Sequence, residues 1–504
     1  MANRGHVAFL PLQIAPGLTA LDLRAQIYKT CVEAIVDGRL APGMRLPSAR
    51  LLAADWRISR NTIDDALGRL QAEGFLVRRV GDGTFVATDV GERNDCRRSA
   101  RTRGPNALGR RALSTLSSWG RSTSAAHSPY STPRPAAFVA GLPALDLFPL
   151  DLWRRLVARR MRVSGRALLG YAPTMGHMPL REATVRHLAA TRGVVASADQ
   201  IMILNSSMQA LDLVARVLLE PSESAWVEDP CFPNLRAVLA MAGARIVPVP
   251  VDDDGIDVDA GAALAPDAAL ACVSPSCQYP TGVTLSLERR LALLRWAEAA
   301  GAWLVEDDYQ CEFTYGTRPI APIYSLDRGE RVLYVGTYTN AVFPSLRLAY
   351  LLLPRALVRV FEAVRGQQDD HTHGFMQAVL ADFADGGHFS AHLRKMRAIY
   401  HARRDALTAA WARELRGAAS LGPASSGMNA ALNFTRRHPD GAVAVAAQDA
   451  GVRVLPLSRY AAGSRGVNGL LLGYTALSER RIETGIARLA RVFASLRPSH
   501  GHGL

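Results

Sequence analysis

Two different periodicities divide this chain. From residue 17 to 88 the apolar positions recur at helical spacing, whereas from 135 to 497 short apolar runs alternate with amphipathic helices. In "LTALDLRAQIYKTCVEAIVDGRLAPG" the residues Leu21, Leu23, Ile27, Cys31, Ile35 and Leu40 fall close to every third or fourth position, and Pro42-Gly43 stops the run. That pattern predicts a helix. Ser48 before "ARLLAADW" and Ser59 before "RNTIDDALGRLQA" are N-cap signals for two more, the second carrying Ile63, Leu67 and Leu70. "FLVRRVGDGTFVA" then sets two β-like runs around Gly81-Asp82-Gly83, a hairpin signal. Three helices and a β-wing make a winged helix-turn-helix over 17–88.

Beyond it, "QIMILNS", "SAWVEDP", "ARIVPVPV", "ALACVSP", "AWLVEDD", "RVLYVGT" and "LAYLLLP" are strand-like runs separated by helical stretches. Alternation of this kind predicts a large α/β domain with a mostly parallel sheet over 135–497. Between the two, residues 89–134 are rich in Ser, Thr, Arg and Pro with few core residues, as a flexible basic linker would be.

Composition narrows the class. A chain of 504 residues is too long for one ordinary domain, and 49% hydrophobic with 21% charged residues suits a soluble, core-forming protein. No apolar run approaches a membrane span, and Pro11 and Pro16 break the N-terminal apolar patch, so a cytoplasmic protein is expected. Six scattered cysteines, with no second pair to match Cys272 and Cys277, predict reduced thiols and no metal site. The net charge of +14 favours an anionic partner such as nucleic acid. The basicity is arginine: lysine occurs only at Lys29 and Lys395.

A winged helix places the N-terminal end of its recognition helix in the major groove. Here that end is Ser59, Arg60, Asn61 and Thr62, which offers hydroxyls, an amide and a guanidinium able to fork onto guanine. Arg50 and the wing residue Arg79 are candidate phosphate clamps, and Gly83 shapes the wing beside them. Double-stranded operator DNA is the expected partner. The motifs "LPSAR", "SRNTIDDALGRLQAEGFL" and "GDGTFV" resemble the GntR family of bacterial regulators.

In the larger region the strand ends carry the chemistry. Ser206 and Ser207 sit at a strand-to-helix turn suited to a phosphate, Phe232 offers an aromatic face, and "LVEDDY" ends a buried strand at Asp307 and Tyr309. "GTYTNAVFPSLR" adds Thr337, Thr339 and Arg347, again groups that grip a phosphate. In this order they resemble a fold-type I pyridoxal-phosphate aminotransferase. Together with the winged helix, the whole chain resembles the MocR-type subfamily of GntR regulators.

The resemblance implies roles. Asp307 would hold the ring nitrogen protonated, Tyr309 would contact the ring oxygen, and Phe232 would stack on the ring. Ser206, Ser207, Thr339 and Arg347 would cup the phosphate, and Tyr171 would reach in from a partner subunit of a head-to-tail homodimer. Two places depart from the family. Where the family has the lysine that bonds covalently to the cofactor, this chain has Asn340, which is neither basic nor nucleophilic. "GLLLGYTAL" likewise offers leucines where many aminotransferases carry an arginine for the substrate carboxylate, and Arg236 is read either as a carboxylate partner in the pocket or, in preference, as a surface or structural arginine.

The expected protein is therefore a DNA-binding regulator with a catalytically disabled aminotransferase-like domain. That domain would bind pyridoxal 5'-phosphate or another anionic small-molecule effector non-covalently. A transaminase tethered to DNA and a ligand-independent DNA-binding dimer stay open as alternatives. Smaller signals are read plainly: "VDDDGIDVD" as a strand-turn rather than a calcium loop, and His371 and His373 as helix-start residues.

Overall fold

The computed structural model describes residues 19–88, 115–117, 120, 137–315, 320–435, 438–463 and 466–496. Nearly all of the expected linker with its arginines, the side chain of Leu21, the N-terminal patch and the C-terminal tail lie outside the described residues. The chain divides between Ser131 and Thr132 into two compact units.

In the first unit, α1 (Ala20–Val36), α2 (Ala49–Trp56) and α3 (Arg60–Ala72) precede a hairpin of β1 (Leu76–Arg79) and β2 (Gly83–Val86). Ser48 and Ser59 cap α2 and α3, each hydroxyl accepting from the backbone N–H three residues on. Helix α1 closes at Val36, earlier than the apolar spacing suggested. Leu40 lies past the turn and is buried all the same, so its spacing reflects the core rather than the helix. Ile27, Cys31, Ile35, Ile63, Leu67, Leu70, Leu76 and Val86 form one apolar cluster, the shared core of helices and wing.

The second unit is built on an eight-stranded sheet in the order β3-β10-β9-β8-β7-β4-β5-β6. In chain order these are β3 (Ile201–Leu204), β4 (Ser224–Asp229), β5 (Arg245–Asp252), β6 (Gly255–Ile256), β7 (Leu270–Val273), β8 (Trp303–Asp307), β9 (Val332–Thr337) and β10 (Ala349–Leu352). Strands β5, β4, β7, β8 and β9 run parallel, and β10 runs antiparallel to both of its neighbours. Both faces are covered, which is why these strands read as unbroken apolar runs. In β3, Ile201 and Ile203 join one buried cluster while Met202 and Leu204 join another. A smaller antiparallel sheet of four strands follows, centred on residues 429–434 and 469–473. The stretch "VDDDGIDVD", read as a strand-turn, spans the turn between β5 and β6, and Asp257 caps the helix after it.

Two close contacts set spacing within and upon the sheet. At Gly336 on β9 a Cβ would lie 2.2 Å from the Tyr350 ring, so only glycine lets β9 and β10 approach there. Trp226 of β4 stacks on Trp296 at 3.7 Å and donates its indole N–H to the Ala265 carbonyl. No helix among the described residues is long and apolar enough to cross a membrane.

Candidate nucleic-acid interface and cofactor pocket

The start of α3 presents Ser59, Arg60 and Asn61 at the surface. Arg60 forms an exposed ion pair with Asp64 one turn along at 3.4 Å, an interaction weak enough to yield to a phosphate or base. Thr62 departs from expectation. It is 6% exposed, and its hydroxyl turns back onto Ser59 Oγ at 2.7 Å, so it completes the cap instead of facing a groove. Arg50 is exposed on α2. Arg79 lies over the Phe85 ring at 4.7 Å, which orients its guanidinium along the wing. Gly83 takes φ +122, and a Cβ there would press on Arg45 Nε at 3.0 Å.

In the second unit, three consecutive acids end β8, and the alternation of a strand separates their fates. Glu306 and Asp308 fall on one side. Glu306 accepts from the backbone N–H groups of Ile323 and Tyr324 at 3.1 and 2.9 Å, with Arg290 at 3.8 Å. Asp308 pairs with the buried guanidinium of Arg192 at 2.8 Å and accepts from the Tyr334 hydroxyl. Asp307 falls on the other side and has no such partner: its Oδ1 is sealed from solvent and makes no hydrogen bond. Burial, and then the charge of Asp308, push its carboxyl up to about 7.

The remaining candidates lie at or just beyond strand ends of the same eight-stranded sheet. The Phe232 ring meets Tyr279 edge-on at 5.6 Å, and Tyr279 in turn meets Tyr309 at 5.8 Å and Tyr460 at 5.3 Å. Tyr309 also meets the buried thiol of Cys277. Ser206 caps the helix Ser207–Leu218, its hydroxyl accepting from Gln209 N, so that hydroxyl is committed. The amides of Ser207 and Met208 in the first turn have no intrahelical partner and form the anion-ready end of that helix. Thr339 donates its N–H to Thr337 Oγ1 at 3.1 Å. Arg347 is exposed in the left-handed region at φ 51, a conformation uncommon for a residue other than glycine. Asn340 donates its side-chain amide to the Tyr309 backbone carbonyl at 3.1 Å.

The other side chains singled out in the sequence have local settings. Arg236 donates to the Tyr460 carbonyl at 2.6 Å and is a structural residue. The leucines of the small sheet's strand, Leu470 to Leu472, are fully buried. His373 caps a helix through Nδ1, and no cluster of three metal-ligating side chains occurs among the described residues. Lys29 and Lys395 are exposed on helices. Tyr171 is 92% exposed. Sequence reasoning passed over Tyr279, although it stands inside "SPSCQYPTG", because an aromatic in a turn signals nothing until Phe232, Tyr309 and Tyr460 are seen to surround it.

Comparison with known proteins adds an independent line. Residues 23–86 match the family of bacterial regulatory proteins, gntR family, and residues 144–466 match aminotransferase class I and II. The chain is 35% identical over 479 residues to the probable rhizopine catabolism regulatory protein MocR of Rhizobium meliloti, covering 95% of each. It is 32% identical over 487 residues to the transcriptional regulator TauR of Rhodobacter capsulatus, covering 95% of this chain and 98% of the other. Among solved structures it resembles kynurenine aminotransferase of Pyrococcus horikoshii, with TM-score 0.68 and 27% identity, over 77% of this chain and 98% of that one.

Proposed function

Because this chain belongs to the gntR family of bacterial regulatory proteins, in the MocR-type branch that adds a class I and II aminotransferase domain, we propose that it is a DNA-binding transcription regulator whose aminotransferase-like unit binds a phosphorylated pyridine without turning it over. The exposed start of α3, with Arg60 and Asn61, supports the DNA-reading part.

One observation carries the pocket reading: of the three acids ending β8, Asp307 alone makes no hydrogen bond or ion pair through either carboxylate oxygen, and its Oδ1 is sealed from solvent. A buried polar atom left unmade costs about 1–3 kcal/mol, and a ring N–H at that place recovers it. The surrounding residues fit pyridoxal phosphate. Asp307 would face the ring nitrogen, Tyr309 the ring oxygen, and Phe232 the ring face. The amides of Ser207 and Met208, with Thr339 and Arg347, would hold the phosphate. The Ser206 hydroxyl stays with its helix cap, so Ser206 contributes through its place in the turn. Tyr171, exposed on its own chain apart from an edge contact with His371 at 5.9 Å, would serve the pocket of a second copy in a head-to-tail dimer.

When bound, pyridoxal phosphate supplies an electron-accepting ring and an aldehyde. This chain has no amine to meet that aldehyde, since Asn340 occupies the place and its amide is tied to Tyr309. Binding is then non-covalent and transamination is absent. Regulation follows as a population shift, the ligand favouring one arrangement of the DNA readers.

The test is calorimetric titration of the full chain with pyridoxal 5'-phosphate, with the visible spectrum recorded alongside. Saturable binding without the spectral change of a covalent bond is expected, together with no turnover of amino donors. Failure of every phosphorylated pyridine to bind, or measurable transamination, overturns the reading.

A further inference from the structure

We propose that the pocket selects a ligand that carries a primary amine on its phosphorylated ring, in preference to the aldehyde of the same skeleton. This rests on the pocket reading above and sharpens it to one chemical class.

The orientation of Asn340 is fixed by its partner. A backbone carbonyl only accepts, so the bond to Tyr309 O at 3.1 Å requires the NH2 end of the amide to face it. The Oδ1 end is thereby turned away. Among the described residues nothing donates to that oxygen, and it is not one of the atoms sealed from solvent. Asn340 thus presents a free acceptor at the end of β9, beside the end of β8 that bears Asp307.

An aminotransferase would present an amine there. This chain presents the complement of one. Position 340 itself carries an amide, and Lys395 of the same unit stands exposed on its helix. The donor has to arrive with the ligand. An aldehyde oxygen only accepts, and set against Oδ1 it would displace water and leave both oxygens unmade. A protonated amine would donate to Oδ1 in a charge-assisted bond. Charge points the same way. Among the proposed pocket residues Arg347 is the one cation and the phosphate matches it, so an added ammonium meets no uncompensated like charge.

The experiment compares pyridoxamine 5'-phosphate with pyridoxal 5'-phosphate by calorimetric titration of the full chain. The amine form is expected to bind tighter by about tenfold or more, the range of a hydrogen bond to a charged group. In Asn340→Leu, with folding checked by circular dichroism, the preference is expected to fall to about unity through loss of amine affinity alone. Equal binding of the two forms by the unaltered chain, tighter binding of the aldehyde, or a preference that survives in folded Asn340→Leu overturns the inference and leaves the pocket reading standing. If neither form binds, both fall together. The comparison on the unaltered chain depends on no variant's stability.

Discussion

Asn340 and the backbone carbonyl of Tyr309, 3.1 Å apart, tie together the ends of two neighbouring parallel strands. On the proposed reading, the position that would anchor a cofactor in an aminotransferase serves here as a structural link. Replacing it therefore tests whether the rest of the pocket still works. Asn340→Lys should gain a covalent bond to pyridoxal phosphate, seen as a new visible band and as added mass after borohydride reduction. A variant that folds yet shows neither would mean that the pocket no longer places an aldehyde at residue 340.

Asp307 should cost the ligand-free protein stability at neutral pH. Its carboxyl titrates near 7 in the folded chain, above its ordinary 3.8. For an acid whose folded value is raised, the neutral form is the favoured one in the fold. Its contribution is fully present below about 4 and is lost as pH rises towards 7. Asp307→Asn should therefore match the native chain near pH 4 and exceed it by about 1–3 kcal/mol at pH 8, read by urea unfolding. The same variant should bind phosphorylated pyridines weakly. The difference reads Asp307 together with its effect on the neighbouring buried carboxyl of Glu228, which the Asp307 charge helps to raise.

The pair of Arg192 and Asp308 is a buried charge pair, 4% and 0% exposed, and should behave as one. Arg192→Met strands the Asp308 carboxylate and should destabilise the second unit by about 3–5 kcal/mol. Adding Asp308→Asn should return much of that loss. Independent, additive effects of the two changes in a double-mutant cycle would deny the coupling.

Arg60→Ala should weaken operator binding and relax the preference at one base pair by about 1–3 kcal/mol, measured by fluorescence anisotropy on operator variants. A loss of equal size on every sequence would assign Arg60 to a phosphate. Ser59→Ala removes a cap from the same helix and should lower the stability of the winged unit by about 1 kcal/mol.

Much of this was legible in the chain itself, for local reasons. Ser48 and Ser59 cap helices because a hydroxyl three residues before a free N–H can satisfy it wherever the helix stands. The runs "QIMILNS" and "RVLYVGT" are strands buried on both faces because no polar residue interrupts them. Asn340 is equally plain, since an amide is not an amine in any fold.

Tertiary structure decided what depends on distant partners. Three acids in a row carry no mark of which one is left over. Arg192 and Arg290, more than a hundred and about sixteen residues upstream respectively, reach the side of β8 that bears Glu306 and Asp308, and Asp307 remains unpaired on the other. Thr62 looked outward by its place in the helix, yet the Ser59 hydroxyl drew it inward. Tyr279 and Tyr460, 181 residues apart, became neighbours only when the smaller sheet's loop came to rest beside the strand ends. Hydrogen bonds within one turn are fixed by spacing along the chain. The partner of a buried charge or ring is fixed by which strands lie side by side, and that is a property of the fold.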